Sequence, residues 1–270
     1  MLAFAGNSLL CRMALKAAAI DPATFTSIRI VSGAVALWLL ASLRSGGNKW
    51  AGNWLSAATL FAYAAAFSFA YVHLSAGTGA LLLFGAVQAT MIVWGLHKGE
   101  RVRALQWFGL AVAIGGLVAL LLPGLEAPPL SGALLMMAAG IAWGAYSLRG
   151  RGTQDPMAST AGNFLRAVPF TLVLSVVMAA QARIDLRGAG YAFASGALTS
   201  GVGYAIWYAA LRGLKATSAA SVQLSVPIIA AVGGVVLLGE SLALRLVGAS
   251  IAVLGGIALV ILPKRATADL

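Results

Sequence analysis

From Met1 to about position 262 the chain is a succession of apolar runs. Most are near the roughly 20 residues that carry a helix across the hydrocarbon core of a bilayer. Ten such segments are expected, near residues 1–19, 23–43, 54–73, 77–97, 104–122, 130–148, 159–181, 189–211, 216–238 and 242–262. The breaks carry turn and charge signals, among them Asp21-Pro22, Pro123-Gly124, Pro128-Pro129 and Gly239-Glu240. Segment length, Ala/Leu/Gly content and the lack of period-2 alternation predict helices rather than barrel strands. The expected fold class is therefore an all-α integral membrane protein with ten transmembrane helices. The first span carries Arg12 and Lys16, which are expected to snorkel towards the headgroups.

Of the 270 residues, 61% are hydrophobic and 9% charged. A soluble domain carries about 25% charged residues, and one core of this size could not bury so much apolar surface. Lipid is thus one partner. The net charge of +11 does not point to nucleic acid, because the cations stand singly or in pairs between apolar runs. With a cytoplasmic N-terminus, loops on that side hold Arg44, Lys49, Lys98, Arg101, Arg103, Arg149, Arg151, Arg212, Lys215, Lys264 and Arg265. This is roughly twice the number outside, so both termini are expected in the cytoplasm. No cleavable signal peptide is expected, and the abrupt apolar start leads us to expect a short polar tail ahead of Met1.

The chain also repeats itself. Residues 74–123 align on 214–263, pairing Gly99-Glu100 with Gly239-Glu240, Gly115-Gly116 with Gly255-Gly256 and Pro123 with Pro263. At a slightly shorter offset, Ala5-Gly6 and Asp21-Pro22 match Ala139-Gly140 and Asp155-Pro156. Five spans per half is an odd number, so the second half (125–270) is expected to be inverted relative to the first (1–124). Inverted repeats point to a secondary transporter with its site near midplane between the repeats.

Several stretches carry a family resemblance: Ala5-Gly6-Asn7, Asp21 through Arg29, Ala138 through Ser147, and the Gly-Glu pairs that open spans five and ten. Together they resemble the EamA-type members of the drug/metabolite transporter superfamily, most like bacterial exporters of amino acids, including aromatic ones. The resemblance implies a basket of ten helices in the inner membrane, alternating access, and a small-molecule substrate. A monomer is sufficient for this. Multidrug and nucleotide-sugar transport in the same superfamily are the alternatives.

A pocket for amino-acid side chains needs apolar walls and a few polar groups. Candidate walls are Trp94, Trp143, Tyr146, Tyr204, Trp207 and Tyr208, with Trp143 foremost because Gly140 and Gly144 flank it on roughly the same helix face. Interfacial aromatic belts are the alternative use. Mid-span polar candidates are Gln88, Gln223, Asn7 and Asn163, which bond either substrate or neighbouring helices. His73, next to Tyr71, is placed at a cavity mouth. Arg29 and Arg166 either attract a substrate carboxylate or cap carbonyls near an interface. Pro227 is expected to free a carbonyl near Gln223 and form a hinge. The span-five and span-ten glycines Gly109, Gly115, Gly116, Gly248, Gly255 and Gly256 are expected in packing seams.

Other classes fit less well. One cysteine, Cys11, excludes an internal disulfide, and two histidines with seven carboxylates leave few metal ligands. No cofactor, metal or catalytic constellation is expected, which disfavours a membrane enzyme; a channel needs none and stays open. All seven carboxylates fall at span ends, in loops or in the C-terminal tail, so coupling through a buried acid is not expected.

Overall fold

The computed structural model describes residues 1–16, 20–43, 51–99, 103–124, 126–151, 153–211 and 222–261. Among them there is no strand. The helices are α1 Leu2–Lys16, α2 Pro22–Ser42, α3 Trp54–Tyr71, α4 Ala76–His97, α5 Ala104–Leu121, α6 Leu130–Gly150 and α7 Pro156–Val177. After a short 3₁₀ turn, Ala179–Gln181, come α8 Leu186–Ala194, a π-helical stretch Ser195–Val202 and α9 Gly203–Leu211. The last two are α10 Ser225–Leu238 and α11 Leu244–Ile261.

Seven of these, α2 to α7 and α11, are long and apolar enough to cross a membrane. The other expected spans differ. α1 is 15 residues long and α10 is 14, while residues 186–211 form one rod interrupted by the π segment. Part of the expected ninth span, with its connection from α9, lies outside the described residues.

Acidic and amide side chains start the helices. Asp21 accepts from the N–H groups of Ala23 and Thr24, Asn53 from Ser56, Asp155 from Ala158, and Asp185 from Gly188. These bonds satisfy donors that a helix N-terminus leaves open. Asp21 also accepts from the Arg183 N–H, pinning the α7–α8 connection to α2. Partial burial pushes its carboxyl group up in pKa, but the Thr24 side chain and the Arg183, Thr24 and Ala23 N–H groups outweigh this. The net result lies below the usual carboxylate range.

α2 packs on α7, α3 on α6 and α7, α4 on α6 and α10, α1 on α8 and α10, and α5 on α11. The glycine expectation divides. A Cβ on Gly109 or Gly256 would strike the other's carbonyl oxygen, and one on Gly116 would meet Ala252, so these three make the α5–α11 seam. Gly115, Gly248 and Gly255 have nothing within 4 Å and face outwards.

The cations of α1 differ in setting: half-buried Arg12 binds Glu240 and the Tyr71 and Val72 carbonyls, while Lys16, exposed at the helix end, donates to the Leu238 carbonyl. Pro227 stands four residues after Gln223, and the chain, helical at 222–223, turns at Leu224 before α10 begins, as suits a proline that cannot bond back to the Gln223 carbonyl. Pro169 lies inside α7.

Candidate functional site

Helix α3 passes the candidate residues at three levels; at 1.5 Å per residue its ends, Asn53 and Tyr71, stand about 27 Å apart. Halfway along, Tyr63 is a junction. Its hydroxyl oxygen accepts from Asn7 Nδ2 at 3.1 Å and from Arg29 Nη2 at 3.0 Å. The ring lies 4.8 Å from that of Trp143. The network continues across the chain, with Ser195 Oγ donating to Asn7 Oδ1 at 2.5 Å and Arg29 Nε reaching Ser200 Oγ at 3.5 Å.

The π segment makes this reach possible. Gly196 lies so close to α2 that a Cβ there would strike Ser32 Oγ and the Arg29 carbonyl oxygen. A π-helical stretch is wider than an α-helix and recurs at functional sites. Here it turns both Ser195 and Ser200 inwards, and both are buried.

Trp143 is only partly buried, and aromatic rings surround it. Besides Tyr63 they are Tyr204 at 5.2 Å, Tyr146 at 5.5 Å and Phe4 at 6.3 Å. Phe4 in turn meets Tyr204 at 5.9 Å and Trp207 at 5.8 Å. Gly140 and Gly144 press on Ala86 and Thr90 of α4. Trp143, about 100° round the helix from Gly144, therefore turns towards α1, α3 and α9.

Arg29 lies beneath this layer at 1% exposure. A guanidinium cannot shed its proton here, and burying its charge costs several kcal/mol. Its carbon stands 5.1 Å from the Tyr63 ring centroid and 4.9 Å from that of Phe67, so cation–π attraction offsets part of this. Among the described residues Nη1 has no hydrogen-bond partner and no carboxylate pairs with the group.

At the Tyr71 end of α3, Arg12 Nε binds Glu240 Oε1 at 3.0 Å while Glu240 Oε2 accepts from the Ala76 N–H at 2.8 Å. Glu240 thus serves the N-terminus of α4 rather than that of α11; its repeat counterpart Glu100 lies outside the described residues. At the Asn53 end, Arg149 donates to Ser56 Oγ and Asn53 Oδ1, Asn163 accepts from the Asn53 N–H, and Arg166 Nη1 donates to the Ala51 carbonyl. Tyr146 and Asn163, 3.4 Å apart, line a cavity of ≈ 120 Å³ behind this cluster.

The structure therefore brings Asn7, Trp143, Tyr146 and Tyr204 together, with Asn163 joined through Tyr146. Tyr71 is buried at the helix end and meets the centre through Phe67, 4.7 Å away. Trp94 and His73 stand apart. Trp94 is 46% exposed on an open apolar groove with His97, and His73 is exposed beside Glu126 and Ser241. Gln88 is buried in α4 with Nε2 unpartnered among the described residues, and Gln223 is helical and half-buried just ahead of the turn at Leu224. The Tyr208 side chain lies outside the described residues. Sequence reasoning passed over Phe4, Tyr63, Ser195 and Ser200. Tyr63 carried a signal, since a hydroxyl in mid-span needs a partner as much as Gln88 does.

A bundle of membrane-length helices around a mixed aromatic and polar centre is the build of a multi-pass membrane protein. The profile of the EamA-like transporter family matches residues 130–262. An uncharacterized protein of Pseudomonas aeruginosa is 58% identical over 265 residues, spanning 98% of this chain and 92% of that protein. A crystal structure of another protein aligns with a TM-score of 0.66 at 17% identity, over 96% of this chain and 95% of its own, a likeness of fold. The second half of the chain, residues 130–262, thus has the pattern of the EamA-like transporter family, which supports a membrane transporter of small solutes.

Proposed function

We propose that the protein is a secondary exporter of amino acids, aromatic ones included. It works by alternating access between two inverted five-helix repeats, residues 1–124 and 125–270. The setting that goes with this reading is a bacterial inner membrane with both termini cytoplasmic. The observation that carries it is the aromatic cluster around the part-exposed Trp143. Phe4 and Tyr63 come from the first half, and Trp143, Tyr146, Tyr204 and Trp207 from the second. An apolar wall with a few buried polar groups, shared by both halves, suits an amino acid held at the repeat interface.

Two features support the repeat and the motion. Let α1 to α5 exchange with α6, α7, the α8–α9 rod, α10 and α11. The contact α3–α6 then becomes α8–α1, α4–α6 becomes α10–α1, and α2–α7, α4–α10 and α5–α11 map onto themselves, all of which are present. Polar ties also join the halves at opposite ends of α3, Arg12–Glu240 at one and Arg149–Asn53 with Asn163–Asn53 at the other. Releasing one end while the other stays closed is what alternating access requires.

The test is counterflow of radiolabelled phenylalanine, threonine and methionine into liposomes holding the purified protein. Accumulation driven by unlabelled internal substrate, and reduced at least tenfold in Trp143→Ala, is expected. Absence of counterflow with all three refutes amino acids as substrates and moves the test to organic cations and nucleotide sugars.

A further inference from the structure

We propose that Arg29 is the anion receptor of the transport site and selects solutes bearing a carboxylate. The inference rests on the transport reading above. Arg29 is fully buried, carries a permanent charge, and has no described carboxylate as its counter-ion. The described acidic side chains lie elsewhere: Glu240 is held by Arg12 and Ala76, Asp21, Asp155 and Asp185 cap helices, and Glu126 is exposed near His73. Of the guanidinium's nitrogens, Nη2 is committed to Tyr63 and Nε makes a long contact to Ser200, while Nη1 is buried without a partner.

A buried donor without an acceptor and a buried cation without an anion are both costly, and one carboxylate oxygen answers both. The charge-assisted bond it makes is about twice as strong as a neutral one. Position fits the role as well. Tyr63 bonds Arg29 through its hydroxyl and faces Trp143 with its ring. An amino acid whose side chain lies against Trp143 therefore has its carboxylate directed towards Arg29 across a single residue. Arg166, the arginine of α7, does not compete for the role: Nη1 is spent on the Ala51 and Gly162 carbonyls at the far end of α3.

A purely structural Arg29, tying α2 to α3 and to the π segment, predicts that its loss weakens the fold without altering solute preference. Receptor and tie therefore separate on a ratio. The probes are matched acids and amides: phenylalanine against phenylalaninamide, and 3-phenylpropanoate against its amide. Each is measured by thermal stabilisation of the purified protein and by competition in counterflow. The wild type should prefer each acid over its amide by at least about tenfold. In Arg29→Gln the ratio should fall to near one, and in Arg29→Lys, which keeps a charge without the fork, it should be intermediate.

No acid preference in the wild type overturns the proposal, as does a preference that persists undiminished in Arg29→Gln. If Arg29→Gln does not fold, a wild-type ratio left unchanged in Arg29→Lys overturns it equally. If phenylalanine fails to bind while 3-phenylpropanoate stabilises the wild type but not Arg29→Gln, the amino-acid reading falls and the anion receptor stands.

Discussion

Removing a single oxygen, Tyr63→Phe, tests the central network with little change in packing. The phenyl ring keeps its contact with Trp143 at 4.8 Å and with Phe67 at 5.4 Å. What disappears is the acceptor shared by Asn7 Nδ2 and Arg29 Nη2, both of them buried. An orphaned buried amide donor costs about 1–3 kcal/mol, and a hydrogen bond from a charged group is worth about 1.5–3 kcal/mol. Because the two share one oxygen and both neighbours relax together, the sum is an upper bound, and a loss of about 2–4 kcal/mol is expected. The assay is reversible unfolding in mixed micelles. A double-mutant cycle with Asn7→Leu should show a coupling of about 1 kcal/mol or more. A Tyr63→Phe protein within about 0.5 kcal/mol of the wild type, the scatter of an ordinary surface substitution, would refute the claim that the shared acceptor holds this layer together.

The remaining expectations concern three other places. Gly196→Ala drives a methyl into Ser32 and the Arg29 carbonyl and should cost about 1–3 kcal/mol, whereas Gly190→Ala, with nothing within 4 Å, should be neutral or stabilising; equal unfolding midpoints for the two sink the argument. Since the folded carboxyl of Asp21 lies below its usual range, its stabilising contribution is complete above the unfolded pKa and lost as pH falls through the folded value. Asp21→Asn should therefore flatten the acid limb of stability against pH, and an unchanged limb counts against it. Glu240→Gln removes the partner of Arg12 and weakens the acceptor for Ala76, so labelling of cysteines placed at the Tyr71 end of α3 should quicken; unaltered labelling rates remove that cluster as a tie between the halves.

Apolar runs punctuated by Asp-Pro, Gly-Glu and charged breaks placed the helix starts of α2 through α7 to within about three residues. That is expected where lipid is the solvent, because backbone groups in hydrocarbon must bond within their own segment. The capping roles of Asp21, Asn53 and Asp155 came from the structure, not from the sequence pattern. The break in the 186–211 rod was not legible, since a π stretch in Ser-Gly-Ala-Leu-Thr-Ser-Gly-Val depends on how closely α2 approaches Gly196. Nor could mid-span position sort the candidate residues. Asn7, Gln88 and Asn163 read alike along the chain, yet one joins the Arg29 layer, one is buried with an open donor and one holds a loop.

The sequence by itself determined the solvent and the helical class, because each follows from hydropathy and spacing along one dimension. Only the tertiary structure decided which of the two arginines of α2 and α7 caps a carbonyl and which lies buried with no described carboxylate beside it. That distinction depends on what stands opposite each side chain. Tyr63 and Ser200 meet Arg29 from 34 and 171 residues away in the chain, Trp143 joins through Tyr63, and no pattern read locally brings them together.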